Sequence, residues 1–185
     1  MSISSLTIAI FLAKRLILIF PLIIIAFWIW GPSKNLLFQR KFIYKTAIAL
    51  IVSLSISSLI RIIFPQDRPF MLGNVGHYFL IHDNTPSFPS NHATVAFTFA
   101  FGFLFWLRNW IGLLLFIPAF TIVWARIFLW VHWPLDMVGA FLVSIISCGV
   151  SQIIWKIGGH KLLPYIIKSY QILFYFLIKK GWMKW

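Results

Sequence analysis

Long apolar stretches separated by short polar turns make up most of this chain. Several of them reach or approach the ~20 residues that cross a bilayer as a helix. The pattern predicts five spanning helices, at about Leu16–Trp30, Phe42–Phe64, His92–Leu107, Trp110–Arg126 and Pro134–Trp155. Two further segments, Ser2–Ala13 and Leu162–Ile178, are too short or too interrupted by polar residues to span. We expect both to lie at the membrane surface as helices.

Composition agrees with this pattern. The chain has 185 residues, of which 61% are hydrophobic and only 10% are charged. Soluble domains carry about 25% charged residues, so the composition is typical of a membrane protein. We therefore predict an all-α, polytopic membrane helix bundle that forms a single integral-membrane domain over residues 1–185.

The distribution of positive charge predicts an orientation. The net charge is +13, but no soluble basic domain is present that would bind nucleic acid. Anionic lipid headgroups and an anionic substrate account for the charge better. By the positive-inside rule, the cytoplasmic side holds eleven basic residues: Lys34, Arg40, Lys41, Lys45, Arg108, Lys156, Lys161, Lys168, Lys179, Lys180 and Lys184. The loops 65–91 and 126–133 then face outward together.

The polar side chains that could do chemistry are concentrated in residues 61–136. All three acidic residues and four of the five histidines lie there. An ionisable group in a membrane-like sequence is costly unless it is paired or hydrated, so each is a functional candidate. Three short segments of this region end or begin helices on the outward face.

The first segment carries Arg61 near the end of the second predicted helix and Arg68 just beyond it. A guanidinium keeps its charge and presents a fork of donors that matches phosphate oxygens. Two arginines that reach toward lipid headgroups would give the same pattern. The segment alone does not separate these alternatives.

The second segment, Pro86–His92, opens the third predicted helix. Ser90 is the expected N-cap, and the first backbone N–H groups of a helix form an anion site. His92 would stand beside a bound phosphate, where it could protonate a departing oxygen. An ordinary capped helix with an interfacial histidine is the alternative.

The third segment contains Arg126, His132 and Asp136. If the helical turn begins at His132, Asp136 at i+4 lies on the same face. The carboxylate can then hold one imidazole nitrogen and leave the other free as a nucleophile. A structural His–Asp pair is the alternative, but a carboxylate inside the start of a spanning helix disfavours it.

Together these segments resemble the type 2 phosphatidic acid phosphatase family of membrane enzymes. The family pattern is Lys, six residues, Arg-Pro; then Pro-Ser-Gly-His; then Ser-Arg, five residues, His, three residues, Asp. Every spacing is kept here over residues 61–136. Arg61 replaces the usual Lys, Asn91 the Gly and Ala125 the Ser.

The resemblance implies a two-step phosphatase mechanism without metal or cofactor. His132 would attack phosphorus while Asp136 holds its tautomer, and His92 would protonate the leaving group and then activate water. Phosphoryl oxygens would be bound by five residues: Arg61, Arg68, Ser90, Asn91 and Arg126.

The form of the second and third segments is most similar to bacterial undecaprenyl diphosphate phosphatases. Those enzymes act on the outer face of the bacterial cytoplasmic membrane. His82 could bind a second phosphate of such a substrate, or it could be an ordinary loop histidine. A lipid A 1-phosphatase, a phosphatidylglycerophosphate phosphatase or a lipid phosphotransferase would use the same residues. A non-catalytic lipid-binding membrane protein is an alternative of another class.

Overall fold

The computed structural model describes residues 3–30, 36–72, 85–107 and 110–182. Every regular secondary-structure element in these ranges is a helix. The α-helices are α1 (Ile3–Arg15), α2 (Ile19–Trp30), α3 (Leu36–Ile63), α4 (Asn91–Gly102), α5 (Trp110–Phe128), α6 (Pro134–Ile154), α7 (His160–Leu173) and α8 (Tyr175–Lys179). Short π-helical segments follow α4 at Phe103–Leu107 and α6 at Trp155–Gly159. The prediction of an all-α membrane helix bundle is confirmed.

Four helical stretches in the described ranges are long and apolar enough to cross a bilayer. They are Ser4–Ile29, Leu37–Ile63, Trp110–Phe128 and Pro134–Gly159. A fifth apolar stretch, Asn91–Leu107, is shorter. All five predicted spans are therefore helical, and the chain is a multi-pass membrane protein.

The N-terminal helices differ from the sequence prediction. Residues 2–13 were expected to form a segment separate from the first span, but α1 continues into α2 through a 3₁₀ turn at Leu16–Leu18. Pro21 has no N–H for the carbonyl four residues before it, which accounts for a tighter turn there. Ala9 and Ala13 of α1 are fully buried and pack against the last residues of α5 and the turn after it.

Helix α3 begins earlier than the sequence predicted. It starts at Leu36 instead of Phe42, so Arg40 lies inside the helix and not in a loop. The Arg40 guanidinium carbon stands 3.7 Å from the centroid of the Trp28 ring and 4.6 Å from that of Tyr170. These aromatic faces allow a buried cation within the helix, because they stabilise its charge where water is excluded.

The core between α3, α4 and α6 contains buried hydroxyl groups among aromatic side chains. The Ser57 and Thr94 hydroxyls are 3.4 Å apart, and Thr98 donates to Ser144 at 3.2 Å. Ser144 also donates to the Thr94 carbonyl at 3.0 Å. Small polar residues allow helices to approach closely and to bond across the interface. The packing of these three helices positions the polar segments of residues 61–136.

The C-terminal helices form the end of the bundle where α2 ends and α3 begins. Leu163 and Tyr170, seven residues apart in α7, are both buried, whereas Lys161 and Lys168 are exposed. This is the amphipathic pattern expected of a helix that packs by one face. Neither α7 nor α8 is among the stretches long and apolar enough to span.

Candidate active site

The three polar segments meet at one end of the bundle. A cavity of about 150 Å³ is lined by Arg61, Arg68, Thr85, Asn91, His92, Arg126 and His132. Six of these residues were predicted from the sequence, and Thr85 was not. The end of α3, the start of α4 and the connection between α5 and α6 each contribute side chains. Two imidazoles and three guanidiniums therefore share a single small cavity.

The turn between α5 and α6 places His132 at this cavity. The Trp130 N–H donates to the Ile127 carbonyl at 3.0 Å, and the Val131 N–H donates to the Arg126 carbonyl at 3.1 Å. This pair of bonds is a Schellman motif, which needs a left-handed residue after the helix. Trp130 occupies that position with φ of 56°, where glycine is usual. A non-glycine residue in this region is strained, and such strain is concentrated at functional sites.

His132 and Asp136 form a buried pair beneath the cavity. Nδ1 of His132 is 2.9 Å from Oδ2 of Asp136, and the two side chains are 3% and 0% exposed. The same carboxylate oxygen accepts the Trp133 backbone N–H at 2.9 Å. Asp136 thus caps the first turn of α6, where a negative charge is also favoured by the helix dipole. With Nδ1–H donating to Asp136, Nε2 of His132 carries the lone pair.

Ser87, which was not predicted as a site residue, completes this pair. Its hydroxyl donates to Oδ2 of Asp136 and lies 3.2 Å from Nδ1 of His132. Ser87 is fully buried, and its N–H donates to the Gln66 carbonyl at 2.7 Å. The neighbouring Phe88 ring packs on Gly139 of α6 so closely that a Cβ there would lie 2.4 Å from it. This contact fixes the segment before α4 against the first turns of α6.

Arg68 connects all three segments. Its Nη1 is 3.1 Å from Nε2 of His132 and donates to the Val131 carbonyl at the same distance. Its Nε donates to the Thr85 carbonyl at 2.8 Å, and Nη2 donates to the Thr85 hydroxyl at 3.1 Å. Arg68 is only 2% exposed. The guanidinium is therefore held rigidly next to the nitrogen that carries the His132 lone pair.

The other two arginines are also held by hydrogen bonds to neighbouring groups. Arg126 is 2% exposed, and its Nη1 donates to the Ala13 carbonyl in the last turns of α1 at 3.1 Å. Arg61 is half-buried, and its Nη2 donates to Oδ1 of Asn91 at 2.8 Å. The N-terminal helix thus contributes directly to the position of one cavity arginine.

Burial decides the protonation state of His132. Removal from water lowers the pKa of its imidazole below the ordinary range, and the charges of Arg126 and Arg68 lower it further. The hydrogen bond to Asp136 opposes this effect and raises the pKa. The effect of burial is the largest, so the ring is neutral at pH 7, as a nucleophile requires.

Known proteins resemble the chain over most of its length. The model of the PAP2 superfamily matches residues 42–158. The chain belongs to this superfamily. It is 47% identical to the "Putative undecaprenyl-diphosphatase YbjG" of Escherichia coli (strain K12), over 96% of this chain and 87% of that protein.

Two further proteins extend the comparison. The chain is 32% identical to the undecaprenyl-diphosphatase BcrC of Bacillus subtilis (strain 168), over 76% of this chain and 69% of that protein. The crystal structure of Aquifex aeolicus LpxE superposes with a TM-score of 0.62 and 27% identity, over 80% of this chain and 84% of that chain. The prediction of a membrane lipid phosphatase of the PAP2 superfamily is confirmed.

The three departures from the PAP2 pattern have local explanations. Arg61 and Asn91, which stand where the pattern has Lys and Gly, bond directly to each other. Ala125, which stands in place of Ser, is fully buried in the cluster that contains Ala9 and Ala13 of α1. A small residue there lets α1 approach the end of α5.

Ser90 differs from its expected local role. It occupies the N-cap position of α4, but its side chain makes no capping bond. Its hydroxyl is buried, has no hydrogen-bond partner among the described residues, and does not line the cavity. His82, the expected accessory residue, lies outside the described residues.

Proposed function

We propose that the protein hydrolyses undecaprenyl diphosphate to undecaprenyl phosphate and inorganic phosphate through a phosphohistidine on His132. The observation that carries the proposal is the His132–Asp136 pair with Arg68 on Nε2, beside a cavity shared with His92 and two further arginines. The substrate is taken from the names of YbjG and BcrC. The remaining steps follow from the chemistry of the cavity.

In the first step, the Nε2 lone pair of His132 attacks the terminal phosphorus. A P–N bond forms as the bond from phosphorus to the bridging oxygen breaks, and the lipid monophosphate leaves. His92 supplies a proton to the departing oxygen. Charge that grows on the equatorial oxygens is stabilised by the guanidiniums of Arg61, Arg68 and Arg126.

In the second step, water attacks the phosphohistidine. His92, now neutral, takes a proton from that water, and the P–N bond breaks with its electron pair returning to Nε2. Inorganic phosphate is released, and both imidazoles recover their starting states. Asp136 keeps the proton on Nδ1 throughout, so Nε2 is the nitrogen that reacts.

Arg68 makes the attack by His132 depend on phosphate binding. Its Nη1 lies 3.1 Å from Nε2 of His132 and can donate to the lone pair. A phosphoryl oxygen carries full negative charge and accepts that donor more strongly than a neutral imidazole does. A bound phosphate therefore competes for this donor and frees the Nε2 lone pair next to phosphorus, while the bonds to Thr85 and Val131 keep the guanidinium in place.

The proposed orientation places the cavity on the extracytoplasmic side of the bacterial cytoplasmic membrane. Lys41 and Lys45 lie toward the start of α3 and Lys156 lies just beyond α6, at the end away from the cavity. Excess Lys and Arg marks the cytoplasmic side of a membrane protein. We further propose that residues 1–185 act as one catalytic domain, since α1 to α6 all contribute to the cavity or to the helices beneath it.

A panel assay tests the substrate. The purified protein is given undecaprenyl diphosphate, phosphatidylglycerophosphate or lipid A in matched detergent, and free phosphate is measured with and without a chelator. We expect the highest kcat/KM with undecaprenyl diphosphate and no loss with the chelator. Equal or higher kcat/KM with another lipid would reject the substrate, and phosphate that appears only on an added lipid acceptor would indicate a phosphotransferase.

A non-catalytic role is tested by His132→Ala. This variant should release no phosphate and should still be folded. Turnover equal to that of the wild type would end the catalytic scheme.

A further inference from the structure

A second cavity lies at the opposite end of the bundle. Its volume is about 520 Å³, and its lining includes Lys45, Phe105, Trp106, Ile145, Gly149 and Gln152. Along α3, Lys45 and Arg61 are separated by about 24 Å at 1.5 Å per residue. Asp136 and Gln152 are similarly separated along α6. This cavity is therefore distinct from the active site.

The polar end of this second cavity is positively charged. Lys45 lines it, and Lys41 and Lys156 are close enough to act on Lys45 electrostatically. The sequence has only three acidic residues, Asp67, Asp83 and Asp136, and none is near these lysines in sequence. Within the described part of the chain no carboxylate pairs with Lys45. Among the residues that the structure describes, this cluster therefore has no counter-ion.

Gln152 adds an unused hydrogen-bond acceptor. Its Oε1 is buried and has no hydrogen-bond partner among the residues that the structure describes. A buried amide oxygen without a donor is costly, so a ligand that brings a donor is favoured there. A cation and an acceptor that line the same cavity suit a headgroup that is anionic and also carries hydroxyl groups.

The remaining walls of the cavity are apolar and open to the membrane. Phe105 is 44% exposed, and Ile145 is 36% exposed. The Trp106 ring lies 5.7 Å from Nζ of Lys45 and joins the polar end to the apolar walls. At Gly149 a Cβ would meet nothing within 4 Å, so this glycine opens the space between them. The cavity therefore has the amphipathic character of a lipid headgroup with the start of its chains.

We propose that this cavity is a binding site for one anionic phospholipid with a hydroxyl-bearing headgroup, such as phosphatidylglycerol. Lys45 binds the phosphate, Gln152 accepts a headgroup hydroxyl, and the acyl chains lie along Phe105 and Ile145. Lys41 and Lys156 contribute the field that favours an anionic over a zwitterionic lipid. The site is independent of the proposed phosphatase reaction and holds a lipid that is not hydrolysed.

Native mass spectrometry of the purified protein tests this site. The protein is mixed with equal amounts of phosphatidylglycerol and phosphatidylcholine, and the lipids retained on the intact protein are counted. Wild type should retain one phosphatidylglycerol and no phosphatidylcholine. Lys45→Gln, which removes the charge, and Gly149→Leu, which fills the cavity, should each lower that retention about fivefold or more.

Gly158→Leu is the matched control, because a Cβ there also meets nothing within 4 Å but Gly158 does not line the cavity. It should retain phosphatidylglycerol as the wild type does. Phosphatase turnover, expected to stay within about twofold in all three variants, reports folding. Undiminished retention in Lys45→Gln would overturn the proposal. Equal retention of phosphatidylcholine by the wild type would do the same, since it indicates a crevice that accepts any lipid.

Discussion

Two buried arginines at opposite ends of the bundle have very different surroundings. Arg40 is 4% exposed and Arg126 is 2% exposed. The Arg40 guanidinium lies between the rings of Trp28 and Tyr170, and its Nη1 donates to the Trp28 carbonyl at 3.0 Å. Arg126 instead lines a cavity together with Arg61 and Arg68, other cations that repel it.

The difference indicates which buried charges are functional. At Arg40 the protein itself supplies the stabilising groups, which are two aromatic faces and a carbonyl. These contacts hold α2, α3 and α7 together. At the cavity, three guanidiniums lie close together, and the carboxylate beneath them, Asp136, is already bonded to His132. Like charges brought together in this way are stabilised when an anion binds between them, which is the arrangement a phosphatase needs.

Among the changes that test this comparison, removal of a cavity arginine should have the largest effect. Arg126→Gln should lower kcat/KM by about 10³, because the transition state loses a charged donor in a site that excludes water. Phosphate release from undecaprenyl diphosphate measures the change. Lys14→Gln removes an exposed cation at the end of α1 and should leave kcat/KM unchanged. An Arg126→Gln variant within threefold of the wild type would make this arginine structural, like Arg40.

Ser87→Ala tests whether the segment before α4 positions the nucleophile. Without the hydroxyl, Asp136 loses a donor, and the imidazole of His132 is less well oriented. We expect kcat to fall by up to about 10²-fold. KM should change little, because Ser87 does not line the cavity.

The matched control for Ser87→Ala is Ser147→Ala. Ser147 is also fully buried, but it donates to the Val143 carbonyl of its own helix. Its loss should leave kcat unchanged. If the two variants had the same kcat, Ser87 would have no positioning role.

At the other end, Arg40→Met should affect stability and not catalysis. Loss of a desolvated cation between two aromatic rings is expected to lower the free energy of unfolding by about 2 kcal/mol. Denaturant unfolding in detergent measures this, with phosphate release per folded molecule measured alongside. Lys180→Met is the control, since the Lys180 ammonium is 5.1 Å from the Phe176 ring at an exposed position. A loss of kcat without a loss of stability in Arg40→Met would contradict the view that Arg40 is structural and Arg126 is catalytic.

The smallest effect concerns the bond between Arg61 and Asn91. A double-mutant cycle of Arg61→Lys and Asn91→Gly, which restores the usual residues of the PAP2 pattern, measures how far they act together. We expect the double variant to retain about fivefold more activity than the product of the single effects predicts, a coupling of about 1 kcal/mol. Strict additivity in kcat/KM would show that the 2.8 Å contact has no consequence for the reaction.

Residues predicted from the sequence were those whose signal is local. Apolar runs predicted the helices. The residue types and spacing of Arg68, His92, Arg126, His132 and Asp136 predicted a phosphate site where the helices end or begin. Ser87 and Thr85 were not found, because serine and threonine are common and their partners lie far away in sequence. The early start of α3 was missed for a similar reason, since Arg40 is buried only through rings contributed by α2 and α7. The roles of Ser87, Thr85 and Arg40 depend on contacts between distant parts of the chain. The periodicity of apolar residues does not reveal these contacts.

Direct detection of a phosphohistidine on His132 is the sharpest test of the account. His92→Ala, with terminally labelled undecaprenyl diphosphate, should accumulate the intermediate, because the phosphate leaving group departs readily and the water lacks its base. After a quench in base, which preserves phosphohistidine, peptide mapping should find the label on the peptide that contains His132. Label on any other peptide, or the same labelling in His132→Ala, would contradict the proposed chemistry.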